Sequence, residues 1–277
     1  MTPEEYCREK AARIGSSLYY SFLFLQPERR RAITALYALC REMDDVVAEC
    51  TDAGVAHTKL AWWRRELGRL YAGEPQHPVS RALQPAIKSF GIKHECLTEI
   101  INGAELDLSQ SRYLDFAALE RYCHHAAGAV GVLAAPIFGY SDERTLAYAH
   151  RLDIAFQLTE IIRNAGEDSR RGRIYLPLDE LQQFGVSAAD VLHARQSAAF
   201  VHLIEFQIER AERYYVSALE QLPDADRRAQ RPCLIMAAIY RALMSEIRAD
   251  GCRVLTHRTT LTPLRKFWIA WKTWITA

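Results

Sequence analysis

The sequence predicts an all-α fold, and three observations support this. Only 13 Gly and 10 Pro interrupt its 277 residues, and the segments between them are rich in Ala, Leu, Arg and Glu, which favours helices over the short strands of a barrel or sandwich. No low-complexity linker divides the chain, and no solenoid period repeats along it. We therefore predict one helical domain spanning residues 1–277.

Proline, glycine and capping residues set the limits of about ten predicted helices. Pro27 suits a first helical turn, Gly54 is expected to follow a helix end, and Ser141 is expected to open a helix with an acidic first turn. Residues 173–177 are predicted to form an extended loop. The predicted helices cover residues 3–14, 27–50, 55–72, 78–90, 93–109, 115–138, 141–169, 187–222 with a break near its start, 226–250 and 262–275.

Composition excludes several classes of protein. With 35 Lys and Arg against 34 Asp and Glu, the net charge is +1, whereas a general nucleic-acid binder needs a basic excess to neutralise phosphates. The seven Cys form no C-x-x-C pair, so the sequence indicates neither a disulfide framework nor a zinc site. The first residues carry mixed charge, and no run of 18 uncharged apolar residues follows. We expect a cytoplasmic protein without a nucleic-acid partner.

The predicted helix over residues 27–50 carries acidic residues beside an apolar face. Tyr37, Arg41, Asp44, Asp45 and Ala48 lie at positions i, i+4, i+7, i+8 and i+11, which places them on one side of a helix. A solvated acidic patch would explain this pattern on its own. The adjacent apolar face consists of Ile33, Leu36, Cys40, Met43 and Val47.

A second predicted helix, over residues 141–169, repeats the arrangement. Gln157, Glu160, Asn164 and Asp168 recur at the same spacing beside an apolar face. Two acidic faces that both border the core are expected to oppose each other across a central cavity. The second apolar face consists of Ile154, Leu158, Ile161 and Ile162.

Oxygen ligands on two facing helices suit Mg²⁺, or Mn²⁺ in its place, because such ions keep several waters and are completed by substrate phosphates. A diphosphate is therefore the expected ligand, and nearby arginines could neutralise it, although ordinary surface charge also explains Arg170 and Arg171. Ionising an allylic diphosphate leaves a carbocation that needs an apolar, aromatic pocket. The arginines are Arg41, Arg163, Arg170, Arg171 and Arg173, and the candidate aromatic residues are Tyr19, Tyr20, Phe22, Tyr37, Tyr122 and Phe156.

A stretch of small residues lies between the two acidic helices, at positions 122–131. Gly128 and Gly131 each cost a helix roughly 1 kcal/mol relative to Ala, so their missing side chains should serve a purpose. Room for a long prenyl chain and close helix packing are the two explanations, and the sequence does not separate them.

Four segments together resemble the squalene and phytoene synthase family over nearly the whole chain. They are Gly15-Ser-Ser-Leu-Tyr-Tyr-Ser-Phe22, residues 35–49, Tyr122-Cys-His-His-Ala-Ala-Gly128, and residues 157–177. The stretches 21–25 and 261–266 most resemble members of the bacterial hopanoid pathway. The resemblance implies an isoprenoid-synthase fold and a prenyltransferase that couples two farnesyl diphosphates to presqualene diphosphate, with Mg²⁺ but no nicotinamide cofactor, for a downstream squalene-forming enzyme.

The resemblance also implies roles for individual residues. Asp44 and Asp168 would hold metal, with Asp45, Glu160 and Asn164 as further candidate ligands. The implied catalytic residues are Tyr37, Arg41, Tyr122 and Tyr240, and the implied substrate-binding residues are Ser17, Gln157, Arg163, Arg171, Tyr175, Arg258 and Lys266.

The sequence departs from the family pattern at its acidic motifs. Ala48 stands where the first motif has its second Asp, and the second motif has Glu160 and Asn164 where the family has Asn and Asp. Leu18 replaces Phe, and His124 replaces an expected Tyr. Two alternatives therefore stand beside the main prediction: a phytoene or dehydrosqualene synthase, and a catalytically weakened homologue that still binds prenyl diphosphates.

The C-terminal segment 262–277 is predicted to be a helix that lies on a membrane surface. Trp268, Trp271 and Trp274 recur every three residues, with Lys266 and Lys272 among them, a combination that favours the headgroup region of a bilayer. The segment is too short and too charged to span, so the protein would be peripheral on the inner face of the membrane. Packing of the tryptophans against the domain is the alternative.

Overall fold

The computed structural model describes residues 1–11, 17–50, 52–126 and 128–277, without the side chains of residues 126, 128 and 129. Every regular element in these ranges is a helix, which confirms the all-α prediction, and the only bridge within them is an isolated pairing of Arg112 with Ile174. The helices are α1 (Pro3–Ala11), α2 (Ser17–Phe22), α3 (Pro27–Glu49), α4 (Ala53–Ala72), α5 (Pro78–Phe90), α6 (His94–Ser109), α7 (Phe116–Ala126), α8 (Gly128–Phe138), α9 (Arg144–Arg170), α10 (Leu178–Gln183), α11 (Ala188–Leu192), α12 (Ala198–Gln221), α13 (Asp224–Arg227), α14 (Arg231–Ala249) and α15 (Pro263–Thr276).

The long α3 and α9 each organise one part of the hydrophobic core. Helix α3 packs against α1, α5 and α6, whereas α9 packs against α12, α7 and α14. Helix α8 contacts both α3 and α9 and so joins the two parts. The faces that carry the two acidic motifs are therefore held by separate but connected cores.

Local sequence signals explain most helix ends, and the structure corrects two of the predicted ones. Gly54 does not follow a helix: α3 ends at Glu49, and the Asp52 side chain caps α4 by accepting the Val55 N–H, so Gly54 lies in the first turn of α4. Ser141 does not open α9, which begins at Arg144, because the Ser141 Oγ donates to Asp226 at 2.6 Å instead.

Several predicted boundaries also differ from the structure. The segment predicted as one helix over 115–138 contains α7 and α8, and residue 127 between them lies outside the described residues. Residues 12–14 of the first predicted helix also lie outside them, as do Gly15 and Ser16 of the segment that resembles the family. The break predicted in 187–222 separates α11 from α12, and 226–250 contains part of α13 and all of α14. Helices α2 and α10 have six residues each, too few to show a helical period in the sequence.

Candidate active site

Three carboxylates from three helices lie near one another. Asp107 in α6 acts on both Asp44 in α3 and Asp168 in α9. Enclosure by protein and repulsion from Asp107 raise the pKa of Asp168 to about 7. The same two causes raise the pKa of Asp44 to about 6, although its side chain keeps access to water. Asp44 and Asp168 therefore lie on the same side of the molecule, as the matching spacing of the two acidic helices predicts.

Asp107 was not among the predicted site residues. Its carboxylate accepts a hydrogen bond from the Tyr175 hydroxyl, and the Arg173 guanidinium approaches to 3.2 Å. Tyr122 is a further hydrogen-bond partner, and its ring lies 5.4 Å from that of Tyr175. Burial raises the pKa of Asp107 while these donors oppose the rise. The predicted residues Tyr122 and Tyr175 thus meet the acidic cluster through Asp107.

A basic cluster lies beside Glu160. Burial, together with Arg163 and Arg258, lowers the pKa of Lys266, which shows that the three cations are crowded. The Glu160 carboxylate accepts from Tyr240 at 2.5 Å and pairs with Arg163. Such a cluster is suited to a ligand with several negative oxygens.

Asn164 is held between these charges. Its amide nitrogen donates to Glu160 at 3.0 Å, and its amide oxygen accepts from Arg258 Nε at 3.0 Å. In the second acidic motif, then, Glu160 and Asn164 are both engaged by neighbouring side chains, and Asp168 is the member that approaches the carboxylates of the other helices.

The structure brings only some of the remaining predicted residues to the acidic cluster. Arg41 pairs with Asp44 at 3.2 Å, and Arg171, exposed in the turn after α9, lowers the pKa of Asp168 against the effect of burial. Asp45 is bound at 2.6 Å by Lys10 of α1, so the structure does not bring its carboxylate to Asp168. Ser17 is buried in α2, and Gln157 is half-buried on α9 one turn before Glu160.

A narrow apolar pocket lies between α2, α3, α8, α9 and α14, and Tyr37 is the predicted site residue in its lining. Its volume is about 10 Å³, which is room for about one water molecule. Its one carboxyl belongs to Asp153, which accepts the Gly131 N–H at 2.6 Å. The pocket is lined by Phe22, Tyr37, Gly131, Ala134, Phe138, Ala149, Leu152, Asp153, Phe156, Pro232, Cys233 and Met236.

Gly131 allows α8 to approach α9 closely. A Cβ at this position would lie 2.7 Å from the Ala149 carbonyl oxygen and 3.0 Å from the Asp153 carboxyl carbon. The space beside Gly131 is therefore filled by α9, which favours close packing over room for a chain at this residue. Contacts of Gly128 lie outside the description.

The carboxylates fit a divalent cation that arrives with its ligand. Among the described side chains no three His, Cys, Asp or Glu are grouped closely enough to form a ready metal site. Asp107 nevertheless repels both Asp44 and Asp168, which adds to the effect of burial on their pKa values, and a cation would relieve that repulsion. Oxygen donors from protein, water and phosphate are the set that Mg²⁺ prefers.

Helix α15 packs on the domain with one face and exposes another. Trp274 stacks on Phe24 at 5.1 Å under the Arg231 guanidinium, and Ala270 is fully buried. No helix in the described ranges is both long and apolar enough to cross a bilayer. The exposed face of α15 consists of Leu264, Phe267, Trp268, Trp271 and Ile275.

Comparison with known proteins gives consistent matches along the chain. Residues 11–265 match the squalene/phytoene synthase family. The chain is 33% identical over 267 residues to the chloroplastic phytoene synthase of Narcissus pseudonarcissus, a match that covers 94% of this chain and 63% of that protein. The chain thus spans about two thirds of the length of this plant relative.

Two solved structures share the architecture. A ligand-bound dehydrosqualene synthase superimposes with a TM-score of 0.85 at 26% identity, covering 98% of this chain and 95% of that one. The squalene synthase HpnC from Alicyclobacillus acidocaldarius superimposes with a TM-score of 0.77 at 27% identity, covering 90% and 94% of the two chains.

Proposed function

This chain belongs to the squalene/phytoene synthase family and has the isoprenoid-synthase fold, and from that premise we propose that it couples two farnesyl diphosphates head to head to presqualene diphosphate with the help of Mg²⁺ or Mn²⁺. Members of the family act on prenyl diphosphates and depend on a divalent metal. The product would pass to a squalene-forming enzyme, and no nicotinamide cofactor takes part.

The observation that carries this proposal is the pairing of an acidic cluster with a basic one. Asp168 interacts with Asp107, and Glu160, two turns earlier on α9, lies beside Arg163 and Lys266. A metal diphosphate presents both a cation and negative oxygens, and it therefore complements both clusters at once.

Different residues of this chain would bind the metal and the diphosphate. Asp44 and Asp168 would hold the metal, which makes the diphosphate a better leaving group when bound. Arg163, Arg258 and Lys266 would bind the diphosphate oxygens.

The other predicted site residues would surround the prenyl chains. The Tyr37 ring would offer its face to the allylic cation, and the apolar lining of the pocket would exclude water. The hydroxyls of Tyr122, Tyr175 and Tyr240 would keep Asp107 and Glu160 in place through the contacts described above. Arg41 and Arg171 would add charge at the rim, with Ser17 and Gln157 beside the chains.

Product identification tests this proposal directly. Pure protein is incubated with farnesyl diphosphate and Mg²⁺, and in parallel with geranylgeranyl diphosphate, and the products are identified by mass spectrometry. We expect presqualene diphosphate from the farnesyl substrate in a reaction that chelation of the metal stops. A product from geranylgeranyl diphosphate alone would assign the chain to phytoene synthesis instead.

Two other functions have support of their own. The named relatives include a phytoene synthase and a dehydrosqualene synthase, so a coupled hydrocarbon is the second candidate product. A weakened homologue that only binds prenyl diphosphates is the third, because Ala48 removes one carboxylate and Arg163 and Arg258 engage Glu160 and Asn164. Binding of farnesyl diphosphate without any product would identify that case.

We predict that Ala48→Asp strengthens metal-dependent substrate binding. Ala48 is exposed one turn after Asp44, so an Asp there returns a second carboxylate to that face. We expect Mg²⁺-dependent affinity and turnover to rise by about tenfold, the scale at which groups around a metal site act. Isothermal titration and a diphosphate-release assay measure both, and Ala48→Asn is the uncharged control. Unchanged turnover in Ala48→Asp would contradict an active-site role for this position.

We also propose that the exposed face of α15 binds the membrane surface, which would place the protein at the inner face of the membrane. Trp268 is 59% and Trp271 42% exposed, and their rings lie 5.1 Å apart. Aromatic rings beside basic side chains are typical of segments that insert at the headgroup level. A prenyl product delivered there would enter the lipid without crossing water.

Substitution of the two exposed tryptophans tests this surface. We expect Trp268→Ser with Trp271→Ser to reduce co-sedimentation with anionic vesicles by about tenfold while leaving the melting temperature unchanged, because neither ring is buried. Leu114→Ser, which removes an exposed apolar side chain elsewhere, is the matched control. Truncation after Thr260 is less informative, because it also removes the buried Ala270 and the stacked Trp274. Equal sedimentation of the double variant and the control would exclude the membrane surface.

A further inference from the structure

A second cleft lies between α7, α9 and α12, apart from the candidate active site. Its volume is about 410 Å³, within the range of roughly 300 to 1,000 Å³ that is typical of small-molecule pockets. None of the described residues that line it belongs to the acidic cluster, the basic cluster or the pocket at Tyr37. Arg151 lines it from α9, nine residues before Glu160, and this spacing is about two and a half helical turns. The two side chains therefore leave α9 on opposite sides.

Two arginines line one side of this cleft. Arg151 Nη1 donates to the Ser217 Oγ at 2.8 Å, which holds its guanidinium at the surface of α12. Arg213 lies on α12 four residues before Ser217, and side chains at this spacing are neighbours on one helix face. Neither guanidinium forms an ion pair with a carboxylate in the described part of the chain. Both cations are thus available to an anion that enters the cleft.

The cleft is positively charged even though it contains a carboxylate. Glu120 of α7 accepts a hydrogen bond from the Tyr214 hydroxyl. Burial and this carboxylate raise the pKa of Tyr214, so the phenol keeps its proton and continues to donate. Two Arg outnumber one Glu among the described lining residues, which leaves a positive charge even when the histidines of the cleft are neutral. An anion is therefore the expected ligand.

Two histidines form another wall of the cleft. The rings of His124 and His150 stack with their centroids 4.5 Å apart and their planes at 23°, and both line the cleft together with Ile154. The ring faces and the Ile154 side chain offer apolar contact area, whereas an imidazole N–H can donate to an anion. His124 is also a position at which the sequence departs from the family pattern, and the proposed coupling reaction gives it no role.

We propose that this cleft binds a phosphate ester of a small organic molecule. Two guanidinium groups and an imidazole offer more donors than a carboxylate can accept, whereas a phosphate monoester presents three strongly accepting oxygens. Arg151 and Arg213 bind these oxygens, and the organic part contacts the stacked imidazole rings and Ile154. The cleft has room for both parts, since its volume is many times the roughly 30 Å³ that one water takes in the liquid.

Side-chain NMR of the histidines tests this site. Imidazole signals of the full-length protein are followed during titration with phenyl phosphate at pH 8, where a phosphate monoester is largely a dianion. His124→Gln and His150→Gln identify the two signals. We expect both to shift to saturation, and inorganic phosphate to bind about tenfold more weakly because it lacks the apolar ring. No prenyl diphosphate is present, so the result is independent of the proposed coupling reaction.

Variants assign the binding to the two guanidinium groups. Arg151→Gln and Arg213→Gln should each weaken phenyl phosphate binding by about tenfold, the scale of one hydrogen bond to a charged group. Arg65→Gln, which removes the same charge at an exposed position of α4, should bind as wild type, and thermal melting checks that all three variants are folded. Shifts no larger than those with sodium chloride at equal ionic strength would overturn the inference. Wild-type affinity in the variant that lacks both cleft arginines would overturn it as well.

Discussion

Asp168→Ala is expected to abolish turnover while the protein stays folded. Asp168 lies on α9 near Asp107, and as a metal ligand it would supply several kcal/mol of transition-state stabilisation. We expect turnover with farnesyl diphosphate to fall by about a thousandfold, which corresponds to about 4 kcal/mol. Product formation with saturating Mg²⁺ measures the loss, and circular dichroism should show unchanged helicity.

The pKa of Asp168 predicts the direction in which Asp168→Ala changes stability. The folded-state pKa of Asp168 is raised to about 7 from 3.8, so between these values the unfolded chain binds fewer protons and the wild-type protein loses stability as pH rises. Removing the carboxyl removes that loss, and Asp168→Ala should melt no lower than wild type at pH 8. Glu220→Ala, an exposed acid on α12, controls for removal of charge. A large drop in melting temperature would mean that Asp168 has a structural role.

Gly166→Ala is expected to disrupt the segment that follows α14. The Gly166 N–H donates to the Val254 carbonyl at 3.2 Å, and a Cβ at position 166 would lie 2.4 Å from the Leu255 oxygen and 2.6 Å from that of Val254. Backbone atoms cannot rotate away as a side chain can, so α9 and the segment must separate. We expect a loss of about 3 kcal/mol in the free energy of unfolding.

The same separation should weaken the basic cluster. Arg258 lies four residues after Val254 and donates to Asn164, so we expect KM for the prenyl diphosphate to rise together with the loss of stability. Gly68→Ala in α4 is the matched control, because its added Cβ would meet no atom within 4 Å beyond the backbone of its own helix and Ala favours a helix interior by up to about 1 kcal/mol. The inference would fail if Gly166→Ala melted like Gly68→Ala.

The scarcity of Gly and Pro was sufficient to predict an all-α fold, and helical periodicity was sufficient to predict the two acidic faces. The spacing of Asp44 and of Asp168 relative to the apolar residues beside them follows from the helix alone, and both carboxylates lie where that spacing indicates. The start of α9 lies at Arg144 and not at the predicted Ser141, because Ser141 bonds to Asp226, which is distant in sequence. Such a contact has no local signal.

The residues missed by sequence reasoning share one detectable feature. Asp107 continues the buried series Leu97, Ile100 and Ala104 of α6, and Asp153 lies within the most buried part of α9. A carboxylate at a core position of an amphipathic helix is costly unless it has a purpose, so this pattern marks candidates. The bonds of Asp107 to Tyr175 and Arg173 could not be predicted, because three separate segments meet there.

Helix α15 contributes residues to two different surfaces of the protein. Lys266 lies on the side of this helix near Arg163 and Arg258, while Trp268 and Trp271 on the same helix are exposed. Because one helix carries both groups of residues, a displacement of α15 moves Lys266 and the two tryptophans together. A membrane that bound the outer rings would therefore also change the binding of the proposed diphosphate ligand, and by reciprocity a bound diphosphate would change the affinity of these rings for the membrane. Enzyme kinetics measured with and without vesicles would register that mechanical linkage.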